Sequence, residues 1–235
     1  MHSGIKLVFA ASIALVLLPG RSAFAASPDE LAKERVLHQL DIAAANFHST
    51  SAEFEFDSVQ TDPVPDKDVQ KGTVYYERAG KAFQMAAHIR EVNGKVVPKV
   101  YGWIGGAFKL YDKLTNQLTS SSKFSKYEGY LELGFGASGK ELAEKWDIKY
   151  LGPETLDGVK TEELELVAKD PDVRKNLTKV NLWVDPERGV SIKQILHFGP
   201  SEYRVCVYYN IKINQRLPAN AFTLDTNRQT QVVNQ

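Results

Sequence analysis

The chain has 235 residues, 43% of them hydrophobic, and 29 lysines and arginines balance 29 acidic residues. With no basic stripe to meet phosphate, that balance argues against nucleic acid as a partner. A single cysteine, Cys206, excludes an internal disulfide, and no disulfide-linked partner is expected.

Residues 1–25 read as a secretory signal peptide. Lys6 supplies the positive start, and Leu7 to Leu18 form an apolar run of about a dozen residues, short of the ~20 that a membrane span needs. Pro19-Gly20 ends that run, and Ala23-Phe24-Ala25 offers the small residues of a cleavage site. Ala26 rather than a cysteine follows, so a lipid-anchored form is not expected. Cleavage removes Lys6 and Arg21 and no acid, leaving 27 basic against 29 acidic side chains. The mature chain is expected to be exported and soluble.

Ser27-Pro-Asp-Glu30 has the form of a capping box with proline at the first helical position. Leu31, Leu37, Leu40, Ala44 and Phe47 then recur at helical spacing, predicting an amphipathic helix to about Phe47. From Ser49 the period changes to two: Ala52, Phe54 and Phe56 alternate with acids, as in a half-buried strand. Asp62-Pro-Val-Pro-Asp66 predicts a turn, because prolines cannot join a central ladder. A strand from Gly72 to Arg78, a turn at Ala79-Gly80-Lys81 and a strand from Ala82 to Ile89 make a hairpin. Asn93-Gly94 and Gly105-Gly106 turn the chain through two further strands, and a short strand is expected over 115–119.

The alternation breaks at 120–145, where Phe124, Tyr127, Tyr130, Leu131 and Leu133 precede a glycine stretch and a short helix near Lys140–Lys145. Strands are expected again over 146–151, 159–168, 177–185, 189–198 and 202–213. The polar residues 225–235 are expected as a loose tail. Closely spaced strands without intervening helices predict an α+β, mainly antiparallel chain. Residues 26–224 form a single domain in this reading, a curved, incomplete half β-barrel covered by the N-terminal helix and the helical insertion.

Few residues offer catalytic or metal chemistry. Gly134-Phe-Gly136-Ala-Ser-Gly139-Lys140-Glu141 contains a G-x-G-x-x-G string. However, Glu141 stands where a phosphate loop needs a hydroxyl, and the neighbouring strands are antiparallel. The histidines lack metal-ligand spacing, and no nucleophile elbow exists. Neither an enzyme nor a cofactor is expected. The informative feature is apolar content on both strand faces: Val74 and Tyr76 against Tyr75, Tyr101 and Trp103 against Val100 and Ile104, Leu182 and Val184 against Trp183. A sheet wetted on one side alternates cleanly, so both faces need cover. The N-terminal helix and the 120–145 segment are the candidate cover, either complete or leaving a concave apolar site for a greasy ligand.

In order along the chain stand Gly72-x-x-x-Tyr76-x-Arg78-x-Gly80-Lys-x-Phe83, Gly105-Gly106-x-Phe108-x-x-Tyr111-Asp112, Leu118-Thr119, Leu164-x-Leu166, Leu182-Trp183-Val184-Asp185-x-x-x-Gly189 and Asn210-Ile-Lys-Ile-Asn214 ahead of Phe222. In this ordered spacing the mature chain resembles the LolA-type outer-membrane lipoprotein carriers and their lipoprotein-sorting relatives. The resemblance implies a periplasmic half-barrel that holds lipid or lipoprotein acyl chains on its concave face. It also implies receipt of cargo from an inner-membrane release complex and delivery to an outer-membrane acceptor. Two positions depart from the family: Gln84 stands where many carriers have an arginine, and Ala79 where a proline is common. The residues expected to line the acyl cavity are Phe83, Met85, Trp103, Phe108, Leu110, Leu131, Leu133, Phe135 and Trp183, with 120–145 as a lid. An envelope protein-interaction or stress-sensing module on the same scaffold is the alternative.

Overall fold

The structure is a computed structural model and describes residues 27–80, 82–121 and 133–234. Residues 1–25, expected as a signal peptide, together with Leu131 and the aromatic residues Phe124, Tyr127 and Tyr130, lie outside the described residues. Helix α1 (Pro28–Ala45) starts at Ser27, whose Oγ accepts the Glu30 amide at 3.2 Å. The Glu30 carboxylate pairs with Lys33 at 2.6 Å.

Hairpin chemistry then builds β1 (Ser49–Gln60), β2 (Asp66–Ala79), β3 (Ala82–Val92), β4 (Lys95–Ile104), β5 (Ala107–Asp112) and β6 (Gln117–Ser121). A short helix, α2 (Gly139–Lys145), leads into β7 (Trp146–Leu156) and β8 (Val159–Ala168). A single turn, α3 (Pro171–Arg174), precedes β9 (Lys179–Asp185), β10 (Val190–His197), β11 (Glu202–Ile213) and β12 (Gln231–Asn234). All the strands join one sheet in the order β12-β6-β5-β4-β3-β2-β1-β11-β10-β9-β8-β7. Strands β1 to β6 pair antiparallel in chain order, as do β7 to β11; β12 lies parallel to β6, and β1 against β11 joins the two runs. Among the described residues the end strands β12 and β7 do not pair with each other. The sheet is therefore an open, curled half-barrel, the α+β fold that the alternation and the LolA-type resemblance imply.

Among the stretches that differ from the sequence reading are the start of β2 and the C-terminal residues. Strand β2 begins at Asp66, ahead of the expected start at Gly72, although Asp66-Lys-Asp-Val-Gln-Lys71 has little strand propensity. Its register against β1 is unbroken from Asp66 to Glu77. Cross-strand pairs Lys67–Asp57 at 2.7 Å and Lys71–Glu55 at 3.0 Å accompany it, so pairing overrides local preference.

The C-terminal residues are not a loose tail. Ala221 is buried, and its carbonyl lies 2.8 Å from the His88 ring nitrogen. The Tyr111 hydroxyl donates to the Asp225 carbonyl at 2.9 Å, and β12 lies parallel to β6. This segment covers the His88, Val100 and Tyr111 face of β3–β5. The sequence reading assigns cover of that second apolar face to the helix and the insertion; α1 and α2 pack on the other side.

One half of the concave face carries a closed core. Val36 and Leu40 of α1 join Leu142 of α2 over Trp146, Leu164, Leu166 and Leu182. The two helices approach closely because residue 139 is glycine: a Cβ there would stand 2.1 Å from the Leu37 carbonyl oxygen. The α2 N-terminus is a full capping box, with the Ser138 amide donating to the Glu141 carboxylate at 2.9 Å and the Glu141 amide donating to Ser138 Oγ at 3.1 Å. Glu141, the residue that spoils the phosphate-loop reading, thus has a structural use. Burial pushes its carboxyl up, but the Ser138 bonds and nearby Arg78 outweigh that and hold it below the usual range.

Candidate functional site

Residues directly opposed in antiparallel ladders share a face, so the registers trace one surface across the sheet. Phe108 opposes Trp103, Trp103 opposes Met85, and Met85 opposes Tyr76. Phe54 opposes Tyr208, Phe56 opposes Cys206, and Cys206 opposes Gln194. Leu182 of β9 continues this surface beneath the helices.

Helix cover stops partway along it. Over β1–β5 and β10–β11 the concave face holds a cavity of about 500 Å³. Its walls are mainly apolar: Phe54, Phe56, Met85, Tyr101, Phe108 and Tyr208 contribute rings or thioether from successive strands.

The segment 133–136 forms the partition between core and cavity. The Ser191 amide donates to the Gly134 carbonyl at 2.8 Å, and the Gly136 amide donates to the Gly189 carbonyl at 3.0 Å. Phe135, 1% exposed, forms a lone bridge with Val190 and stands edge-on to Tyr208 with ring centres 4.9 Å apart. Gln194 Nε2 donates to the Leu133 carbonyl at 2.8 Å.

Of the residues proposed from sequence, Met85, Phe108, Leu110, Leu133 and Phe135 come together on the cavity wall. Phe83 and Trp103 belong to the buried cluster beside it, with Phe83 stacked on Tyr76 at 5.6 Å. Trp183 is not brought to the cavity. It follows Leu182 in β9, so it faces the convex side, where its indole N–H donates to Glu154 at 2.5 Å and the Lys193 ammonium lies 4.3 Å from its ring. Leu131 lies outside the described residues.

Sequence reasoning missed Phe54, Phe56, Tyr101, Arg204 and Tyr208 as wall residues. The period-two runs 52–57 and 203–209 carried the signal for four of them, since residues of one parity share a face.

Arg204 is the ionised group on the cavity wall among the described residues. Burial pushes the Cys206 thiol up to about 12, against an ordinary 9.0. The Tyr101 and Tyr208 hydroxyls are likewise pushed up by burial. At neutral pH these groups stay protonated, so the wall offers hydrogen bonds and apolar surface rather than a thiolate or phenolate. Among the described residues no group of three or more histidine, cysteine, aspartate or glutamate side chains is placed to hold a metal ion. None of the described helices is long and apolar enough to cross a membrane.

No family model matches the chain. A stretch of 118 residues, half of this chain, is 29% identical to an uncharacterized protein of Methanocaldococcus jannaschii and spans 32% of that relative's length. Among solved structures, an uncharacterized conserved protein of Thermus thermophilus superposes with a TM-score of 0.52 at 10% identity, covering 87% of this chain and 99% of that one. A LolA superfamily protein of Nitrosomonas europaea superposes with a TM-score of 0.40 at 16% identity, covering 82% of this chain and 98% of that one.

Proposed function

We propose that this chain is a periplasmic carrier that binds lipid or the acyl chains of a lipoprotein and moves them between the inner and outer membrane. The observation that carries this reading is the half-covered concave face: α1 and α2 close one half of it, and an apolar cavity of about 500 Å³ occupies the other half. A purely structural sheet would bring cover over the whole of so apolar a surface.

Burial of chain methylenes supplies the driving force for binding. Each buried methylene contributes ~0.8 kcal/mol, so roughly ten give about 8 kcal/mol. Association itself costs ~4–15 kcal/mol. Export through residues 1–25 as a cleaved leader, without a lipid anchor, belongs to the same proposal, as does the absence of catalysis. Transfer from an inner-membrane release complex to an outer-membrane acceptor follows the LolA-type resemblance.

The test is mass spectrometry of organic extracts from gently purified native protein. Acyl lipid or acylated peptide at near-stoichiometric amounts is the expected result. An enriched protein partner with no lipid would overturn it in favour of an interaction or stress-sensing module. Turnover of acyl esters would overturn the non-enzymatic part.

A further inference from the structure

We infer that the cavity is built for a single-tailed amphiphile with an anionic head group, the head held by Arg204 at the rim and the tail running inward. This rests on the carrier reading above and adds the class of ligand to it.

The registers order the wall by depth. Ser58 opposes Arg204, and Arg204 opposes Leu196; one step further in, Phe56 opposes Cys206, and Cys206 opposes Gln194. Beyond that row come Phe54 and Tyr208, then the Phe135 ring. Ser58 and Arg204 lie toward the exposed strand ends at Gln60 and Glu202. The wall thus passes from polar and charged at its mouth to aromatic inside, the pattern an amphiphile matches.

Arg204 is positioned rather than free. Its guanidinium carbon lies 4.4 Å from the centre of the Phe198 ring, which holds the fork in place. Its Nε is buried and has no hydrogen-bond partner. The nearest carboxylate, Glu202, stands 3.8 Å from Nη2; its side chain is 54% exposed and that of Arg204 41%, a weak, solvent-screened pair in which only the inward Nε is buried and unsatisfied. A buried guanidinium N–H without a partner is costly, and a carboxylate or phosphate oxygen is the acceptor its geometry fits best. A cavity of about 500 Å³ falls within the ~300–1,000 Å³ of single-ligand sites, which favours one tail over several.

The experiment displaces a fluorescent fatty acid from the delipidated mature protein with hexadecanoic acid, hexadecyl phosphate and hexadecanol. The acid, the phosphate or both should bind at least about tenfold tighter than the alcohol, and comparing the two anions separates carboxylate from phosphate recognition. Arg204→Gln should erase the preference by weakening the two anions toward the affinity of the alcohol. If that variant fails to fold, Arg204→Lys serves instead and should keep only part of the preference. Equal binding of alcohol and anions by the native protein, or a preference that survives Arg204→Gln, would overturn the head-group assignment and leave the carrier reading standing. Binding of none of the three would overturn both.

Discussion

The Gln194 side chain reaches across the concave face and donates a 2.8 Å hydrogen bond to the Leu133 carbonyl. That bond fixes the segment that separates the helix-covered core from the cavity. Both residues also line the cavity, so the partition is at once a wall.

Gly134 sits in this joint with φ +91, and a Cβ there would lie 2.2 Å from Gln194 Nε2 and 2.8 Å from the Ser191 Cβ. Gly134→Ala should therefore cost about 1–3 kcal/mol through left-handed strain and displaced packing. Urea denaturation reads this as a lower midpoint at unchanged slope. An unaltered midpoint would mean that the segment yields freely and partitions nothing.

Leu110 and Trp183 test the assignment of faces. Leu110→Glu places a charge on the cavity wall and should abolish uptake of a fluorescent fatty acid while far-ultraviolet circular dichroism stays the same. Trp183→Phe removes the indole N–H that Glu154 accepts on the convex side. It should cost about 1–2 kcal/mol of stability and leave uptake untouched. Loss of uptake in the tryptophan variant would reverse the two faces.

Cys206 is a native reporter of the cavity. With its thiol pushed up to about 12 from an ordinary 9.0, its thiolate fraction at pH 8 is lower by about a thousandfold than that of a free cysteine, and alkylation slows accordingly. Mass spectrometry of iodoacetamide-treated native protein should show Cys206 unmodified on a timescale that fully labels urea-unfolded chain. Rapid labelling of the folded protein would mean that the thiol is not sealed in.

Burial, with Lys179 nearby and despite Glu165, lowers the His197 pKa below its ordinary 6.5. A histidine depressed in the fold is protonated first in the unfolded chain, so stability is full above the unfolded value and falls as pH drops from about 6.5 toward the folded one. Its Nε2 lies 3.1 Å from the Asn181 side-chain amide oxygen, Oδ1. Thermal unfolding between pH 7 and 5 should show this decline in the native protein, and His197→Asn should flatten it. Glu141 and Asp112, both held low, add their own loss at more acid pH. An equal slope in native and variant proteins would remove His197 from the account.

Much of the fold was legible because local chemistry and tertiary outcome agree. Ser27 caps α1, Asn93-Gly94 turns a hairpin, and the alternation at 202–213 coincides with β11. The first half of β2 was not legible: its charged residues gain strand form from β1, with β3 joining only from Gln70 onward. Nor was the fate of the C-terminal residues, since nothing local in Asp225 to Asn234 announces that Tyr111 and β6 receive them.

The sequence by itself determined which side chains share a face, because a strand's period of two is a covalent property of the extended chain. Parity carries no sign, however. Leu182 and Trp183 are equally apolar neighbours, and only the direction in which the sheet curls, with α1 seated inside it and the C-terminal segment outside, made one a core residue and the other a convex one. The cavity belongs to that same level: it exists where helix cover ends, a relation between segments far apart in the chain.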